Sequence, residues 1–173
     1  MFKPSSLTPL CAVALVEIFQ EAGLPPGVLN LVTGSAHTVG RAIVEEEGIR
    51  AISFTGGVEA GREIYSSSAQ RLKRVALELG SKNPLIVMED ADIDLAVEGI
   101  LFGAFGTSGQ RCTATSRVLV HEKVYAEVMD QLVRRTRGLR VGDPLDPSVD
   151  MGPVCGREQE LKILRYIDIG LKE

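Results

Sequence analysis

Apolar residues recur along the chain with two different periods, which predict alternating helices and strands. Helical spacing predicts a helix from Leu10 to Ala22, with Gly23 as its stop. The other segments in the first 80 residues also have clear apolar patterning. They are predicted as helices over 38–47 and 58–72 and as strands over 28–32, 50–54 and 73–79. This βαβαβ order implies a parallel sheet covered by helices on both faces.

The alternation starts again after the link that runs from Gly80 to Pro84. The predicted elements of this half are strands over 84–88 and 117–121 and helices over 92–105, over 123–137 and from about residue 157. In the first of these helices Ile93, Val97, Ile100 and Ala104 form one apolar stripe. The sequence therefore predicts an α/β fold in two parts, residues 1–80 and residues 81–173.

Composition and charge narrow the class of protein. Hydrophobic residues make up 45% of the 173 residues and charged residues 24%, which is the composition of a globular protein. The net charge of −4 offers no excess of positive charge to neutralise phosphates, so we do not expect a nucleic-acid partner. The apolar run from Leu10 to Phe19 is interrupted by Glu17 and is too short to span a bilayer, so we expect no membrane partner.

Three cysteines, at positions 11, 112 and 155, are too few and too widely spaced to form a disulfide framework. Neither histidine lies at metal-ligand spacing from them, so no metal site is predicted. A reducing, cytoplasmic location is the expectation that follows.

Cys112 has the sequence context of a nucleophile. It lies between a predicted helix and a predicted strand, where a side chain is presented at a connection. Gly109 lets the backbone approach a bound group, and Arg111 is a nearby cation that favours a thiolate. By residue type alone an intracellular cysteine is more often a small buried side chain, which is our interpretation of Cys11 in its apolar helix. Cys155 has no distinguishing context.

Two motifs in register carry a resemblance to a known family. The run from Phe105 to Ser116 resembles the cysteine signature of the aldehyde dehydrogenase superfamily, position by position. The segment from Leu77 to Lys82 is similar to the family's glutamate motif, in the same order and at a typical separation. The resemblance extends along essentially the whole chain. It implies that Cys112 is the nucleophile and that Glu78 is the base that activates water. Without the resemblance, Glu78 would be interpreted as a solvated residue at the end of a strand.

The resemblance also implies a fold and a cofactor. The fold is part of a Rossmann-like cofactor domain over residues 1–80, followed by part of an α/β catalytic domain over residues 81–173. A glycine-rich connection follows Phe54, and such connections present backbone N–H groups to phosphate, although spacing alone is equally compatible with a simple turn. The family binds NAD or NADP there, and the residues implied for cofactor binding are Lys3, Ser6, Gly56, Gly57, Gly61 and Leu79.

Two of these positions depart from the patterns common in the family. Gly57 stands where relatives often carry a serine whose hydroxyl contacts the pyrophosphate, so only a backbone contact remains. Ser6 stands where relatives that prefer NAD often carry a glutamate, and a neutral serine removes the repulsion of a 2′-phosphate. Both NAD and NADP are therefore expected cofactors.

The implied reaction is oxidation of an aldehyde to a carboxylic acid through a cysteine thiohemiacetal and thioester. The implied substrate is a small aldehyde. The sequence around Cys112 looks closest to that of semialdehyde dehydrogenases. Arg111 or Arg117 would then contact a substrate carboxylate, and the alternative is that both are structural or solvated. The resemblance implies a homo-oligomer for full-length members of the family and leaves the assembly of this chain open.

Both ends of the chain suggest an internal piece of a longer protein. The chain contains no Trp, so the family's Pro-Trp-Asn segment, whose asparagine completes the oxyanion hole, is absent. The alternative function is therefore that of a truncated, non-catalytic fragment or pseudoenzyme that acts as a binding or assembly element. A thiol-redox protein is poorly supported, because no resolving cysteine lies near Cys112 in the sequence.

Overall fold

The computed structural model describes residues 1–173, which form two compact units, Met1–Leu79 and Gly80–Glu173. The first unit contains α1 (Leu10–Glu21), α2 (Arg41–Glu45), β1 (Ala51–Gly56), α3 (Val58–Ala69) and β2 (Arg74–Leu79). The second contains β3 (Asn83–Val87), α4 (Ile93–Phe105), β4 (Thr115–Val120), α5 (Glu122–Arg137) and α6 (Arg157–Gly170). None of the helices combines the length and apolar content that crossing a bilayer requires.

In the first unit β1 and β2 pair in parallel, with α3 as the crossover between them. Their register places Thr55 opposite Glu78 and Gly56 opposite Leu79. The two carboxyl ends therefore lie side by side, which is the edge where ligands bind in parallel α/β sheets. The predicted α/β class with parallel pairing is confirmed.

The predicted strand over residues 28–32 is wrong. Only an isolated bridge between Phe2 and Leu31 forms there, through hydrogen bonds from Phe2 N to Asn30 O (2.7 Å) and from Val32 N to Phe2 O (2.9 Å). Pro4, two residues after Phe2, has no N–H with which to extend the ladder. The pairing therefore stops after one residue.

Two predicted helices of this half have different boundaries. The helix predicted over 38–47 begins earlier, with a π-helical turn at Ala36–Gly40, because the Ser35 hydroxyl accepts a hydrogen bond from Thr38 N (3.1 Å) and caps it. It ends as α2 at Glu45. The helix predicted over 58–72 ends at Ala69, and Leu72 has a left-handed φ of 53° that no helix can continue through.

In the second unit β3 and β4 also pair in parallel, and α4 and α5 pack beside them. The buried core is Val87, Val97, Ile100 and Val128. Asp92 caps α4 by accepting a hydrogen bond from Leu95 N (3.0 Å). Val97 and Ile100 of the predicted stripe belong to this core, and Ile93 packs against it. The second strand begins at Thr115, two residues before its predicted start.

The β3–β4 pair is irregular at its first step. The register shifts between Asn83 and Pro84, so that Asn83 lies opposite Thr115 and Pro84 opposite Arg117. Ser116 is the extra residue of the bulge. Proline at this position lacks the N–H that a regular ladder would need, which explains why the bulge falls there.

Candidate active site

Cys112 follows a segment of unusual backbone conformation. A short 3₁₀ turn, Gly106–Gly109, comes directly after α4. Thr107, Ser108 and Gly109 have left-handed φ values of 52°, 56° and 67°. A Cβ at Gly109 would lie 2.9 Å from the carbonyl oxygen of Ala104, so only glycine fits that position. The chain thus reverses sharply before it reaches the cysteine.

The turn at residues 111–114 presents Cys112 to solvent. Ala114 N donates to Arg111 O (3.1 Å) and closes the turn. Cys112 is exposed. Neither the backbone N–H of Cys112 nor that of Thr113 donates to an acceptor within the chain. A thiol and two free N–H groups therefore share one surface turn, which is the set of groups that a thiolate or an oxyanion needs.

Arg111 anchors the turn to α4. Its Nη2 donates to the carbonyl oxygen of Phe102 (2.7 Å), and the guanidinium carbon lies 4.5 Å from the centroid of the Phe102 ring. A cation at a helix C-terminus also interacts favourably with the helix dipole. The structure therefore gives Arg111 a structural role, while its effect on the Cys112 thiolate stays a prediction.

Two further side chains of this region bind the segment 152–155. Ser108 Oγ donates to Gly152 O (2.6 Å), and Gln110 Oε1 accepts from Cys155 N (2.8 Å). Asp150, just before this segment, is also held in place, because its carboxylate accepts a hydrogen bond from Arg140 N (2.9 Å). This backbone hydrogen bond lowers the pKa of Asp150. Sequence reasoning missed these contacts because their partners are far apart in the chain.

The other two cysteines differ from Cys112 in their surroundings. Cys155, partly buried, contributes its backbone N–H to Gln110. Cys11 is exposed, so the prediction that it is a buried side chain is wrong. The buried face of α1 carries Ala12 and Val16, four residues apart, and Cys11 lies about 100° around the helix from Ala12.

In the first unit, the candidate phosphate site is the connection from β1 to α3. Gly57 is the N-cap of α3, with φ −74° and ψ 151°, and no side chain caps the helix there. A Cβ at Gly57 would meet no heavy atom within 4 Å. The N-terminus of α3, a helix of 12 residues, is thus open to an anionic group. Glu78 is exposed near the end of β2, opposite Thr55.

Gly61 and Leu79, both expected at the cofactor, contact each other. A Cβ at Gly61 would lie 2.7 Å from Leu79 Cδ2, so the missing side chain lets α3 pack closely on β2. Gly61 is buried. The contact gives both residues a packing role, and their contact with a cofactor stays a prediction.

Lys3 and Ser6, the other cofactor candidates, lie near the start of the first unit. Lys3 is partly buried and its Nζ donates to Pro4 O (3.0 Å). Its Cε lies 3.9 Å from where a Cβ of Gly40 would be. Ser6 is exposed, in a turn just before α1. Ser6 is therefore accessible to a ligand, whereas the Lys3 ammonium already donates to Pro4 O.

We expect Gly61→Ala to destabilise the protein by about 1 kcal/mol. Overpacking costs about 1–3 kcal/mol, and the better helix propensity of alanine offsets about 1 kcal/mol of that. Urea unfolding followed by circular dichroism measures it. Gly99→Ala is the matched control, because its Cβ would lie at an ordinary 3.9 Å from Leu85 Cδ1, and it should be neutral or stabilising. Equal effects of the two substitutions would contradict the packing role of Gly61.

The fold and the two sets of residues define a parallel α/β protein with a surface cysteine turn in one unit and an open, glycine-rich helix N-terminus in the other. The chain belongs to the aldehyde dehydrogenase family, whose model matches residues 1–173. The family suggested by the two motifs is therefore confirmed.

Its relatives include enzymes for several aldehydes. The chain is 44% identical over its full length to a betaine aldehyde dehydrogenase of Brucella anthropi, and 40% identical to an alpha-ketoglutaric semialdehyde dehydrogenase of Bacillus subtilis. It covers 35% and 36% of these two proteins. A betaine aldehyde dehydrogenase of Staphylococcus aureus, solved in complex with NAD+, matches 96% of this chain and 33% of its own, with a TM-score of 0.91 and 38% identity. The chain thus spans about a third of the length of these relatives.

Proposed function

We propose that this protein oxidises an aldehyde to a carboxylic acid with NAD, using Cys112 as the nucleophile. The observation that carries the proposal is the turn at residues 111–114, where an exposed thiol lies beside two backbone N–H groups without an acceptor. Family membership over the whole chain and the family's chemistry support it.

The proposed reaction has two halves. The Cys112 thiolate attacks the aldehyde carbon to give a tetrahedral thiohemiacetal, and the N–H of Cys112 stabilises its oxyanion. NAD, when bound, accepts the hydride that leaves this carbon, and a thioester remains on Cys112. Glu78 takes a proton from water, and the resulting hydroxide attacks the thioester carbon. The carboxylic acid leaves, and the thiolate is restored.

The first unit supplies the proposed cofactor site. The pyrophosphate would lie at the N-terminus of α3, against the backbone of Gly56 and Gly57. The space beside Gly57 is open, whereas the Phe54 ring lies against Gly56. Lys3 and Ser6 would contact the adenosine ribose. NADP is proposed as a second cofactor, because Ser6 carries no charge that would repel a 2′-phosphate.

We expect Gly57→Ser to tighten NAD binding about tenfold, because one added hydrogen bond to a charged group contributes about 1.5–3 kcal/mol. The residue's φ of −74° suits serine, and the space around its Cβ is open. Titration of NADH fluorescence measures the dissociation constant. Gly57→Ala is the control, since it adds the same Cβ without the hydroxyl. The proposed pyrophosphate site is wrong if serine and alanine have the same effect.

The names of the relatives point to two classes of substrate. Relatives act on betaine aldehyde and on a semialdehyde, two substrates of opposite charge, according to their names. Arg111 is bound to Phe102, so a role in holding a substrate carboxylate falls to the exposed Arg117 or to neither. We propose a small aldehyde of either class, with a semialdehyde as the first to test.

The experiment that tests the function looks for the acyl-enzyme. The protein is mixed with NAD and an aldehyde from a panel of both charges, quenched in acid after a few turnovers, and digested for mass spectrometry. An acyl group on the peptide that contains Cys112, together with NADH formation, is expected. NADH without acylation would reject the covalent route. The absence of both signals from a folded protein would favour the alternative, a non-catalytic binding or assembly element.

We also propose a cellular location and an oligomeric assembly. The cytoplasm is proposed from the scattered cysteines alone, and several relatives are chloroplastic. Homo-oligomerisation is proposed from the resemblance and is measured by light scattering.

A further inference from the structure

The side chain of Asn83 binds the backbone of the cysteine turn. Its amide Nδ2 donates to Cys112 O (2.6 Å) and to Ala114 O (3.2 Å). Asn83 is the first residue of β3 and lies 29 positions before Cys112 in the chain. One amide group thus donates hydrogen bonds to two carbonyls of the same turn.

The bulge between β3 and β4 brings Asn83 to this position. Pro84 has no backbone N–H, so the regular ladder is interrupted between Pro84 and Asn83, and only the pair Asn83–Thr115 follows the bulge. The Asn83 side chain supplies donors where the ladder ends. Ser116, the extra residue of the bulge, points its Oγ at Asn83 O (3.5 Å), which is a separate and weaker contact.

The bond to Cys112 O also fixes the direction of a neighbouring N–H. The carbonyl of Cys112 and the N–H of Thr113 belong to one planar trans peptide and point in opposite directions. Holding that carbonyl toward Asn83 therefore turns the Thr113 N–H away from β3. This N–H and that of Cys112 have no acceptor within the chain, so they are free to face an anion.

We propose that Asn83 is a positioning residue for the nucleophile, which aligns the backbone N–H groups around Cys112 so that they stabilise its thiolate. This inference rests on the proposed function. Asparagine suits the task because its amide donates two hydrogen bonds without adding charge. Aspartate at this position has nearly the same shape but only accepts, and its charge opposes the thiolate.

The test is the rate at which iodoacetamide alkylates Cys112, resolved by peptide mass spectrometry and followed across the pH range of thiol ionisation. We expect Asn83→Asp to slow alkylation at neutral pH about tenfold and to raise the midpoint of the pH profile, because a nearby like charge raises a pKa by about one unit or more. Asn83→Ala should change the alkylation rate and the midpoint of the pH profile in the same direction, but by less. In assays of aldehyde oxidation, kcat should fall while KM for NAD stays unchanged.

Two controls separate positioning from loss of structure. Ser116→Ala removes the other side-chain contact of the bulge and leaves the Cys112 carbonyl bonded, so its alkylation rate should match the parent protein. Cys11, exposed in the first unit, is an internal reference whose rate should not change in any variant. Unchanged alkylation of Cys112 in both Asn83 variants would overturn the inference, as would an equal change at Cys112 and Cys155.

The outcome also separates this inference from the function on which it rests. Alkylation does not require turnover, so it reports on Cys112 whatever reaction the protein performs. Normal alkylation in the Asn83 variants, with oxidation lost in Cys112→Ala, rejects only the role of Asn83. Oxidation that persists in Cys112→Ala rejects the proposed function.

Discussion

Cys112→Ala is expected to lower aldehyde oxidation by on the order of 10⁴-fold or more, because removal of a nucleophile removes the covalent route altogether. Alanine keeps the backbone N–H groups of the turn and the bond from Asn83, since both involve main-chain atoms of residue 112. The protein should therefore fold normally and still bind NAD. NADH absorbance measures turnover, and NADH fluorescence titration measures binding.

The other cysteines provide the controls for this substitution. Cys155→Ala keeps the N–H that donates to Gln110, and Cys11→Ala changes an exposed position in the first unit. Both should retain parental turnover. Activity in Cys112→Ala within tenfold of the parent would show that another group carries the reaction, and loss of activity in Cys155→Ala alone would move the nucleophile there.

The sequence predicts best where apolar patterning is strong. The helix predicted over residues 92–105 has a clear apolar stripe, and the structure confirms the helix: Val97 and Ile100 of the stripe are buried, and Asp92 caps α4. The connection that holds Cys112 followed from its two neighbouring elements. In this helix, local helical preference and burial act on the same residues, so no distant contact is needed to specify it.

Prediction failed where long-range pairing decides the local structure. The apolar residues 28–32 have the composition of a strand, yet Pro4 ends the pairing that would make them one. The left-handed backbone at Thr107 and Ser108 is equally unpredictable, because both residues ordinarily avoid that region. Asn83 was missed for a related reason, since its partner lies 29 residues away.

Glu78→Gln is expected to preserve the first turnover and to slow all later ones by about 10²–10⁴-fold, the usual contribution of a general base. Glutamine has the same shape, and the side chain is exposed near the end of β2, so we expect no loss of folding. In the proposed reaction Glu78 acts only after hydride transfer. Rapid mixing should therefore show a burst of NADH equal to the number of active sites, followed by a slow steady rate.

The acyl-enzyme distinguishes this result from a general loss of activity. With water activation removed, the thioester should accumulate on Cys112 and be visible in the intact mass, and the steady rate should rise with pH as hydroxide replaces the missing base. Glu63→Gln is the matched control, because it neutralises an exposed carboxylate on α3 that the proposal does not use, and its steady rate should equal the parent's. A burst reduced as much as the steady rate would place Glu78 before thioester formation and contradict its role as the base for water.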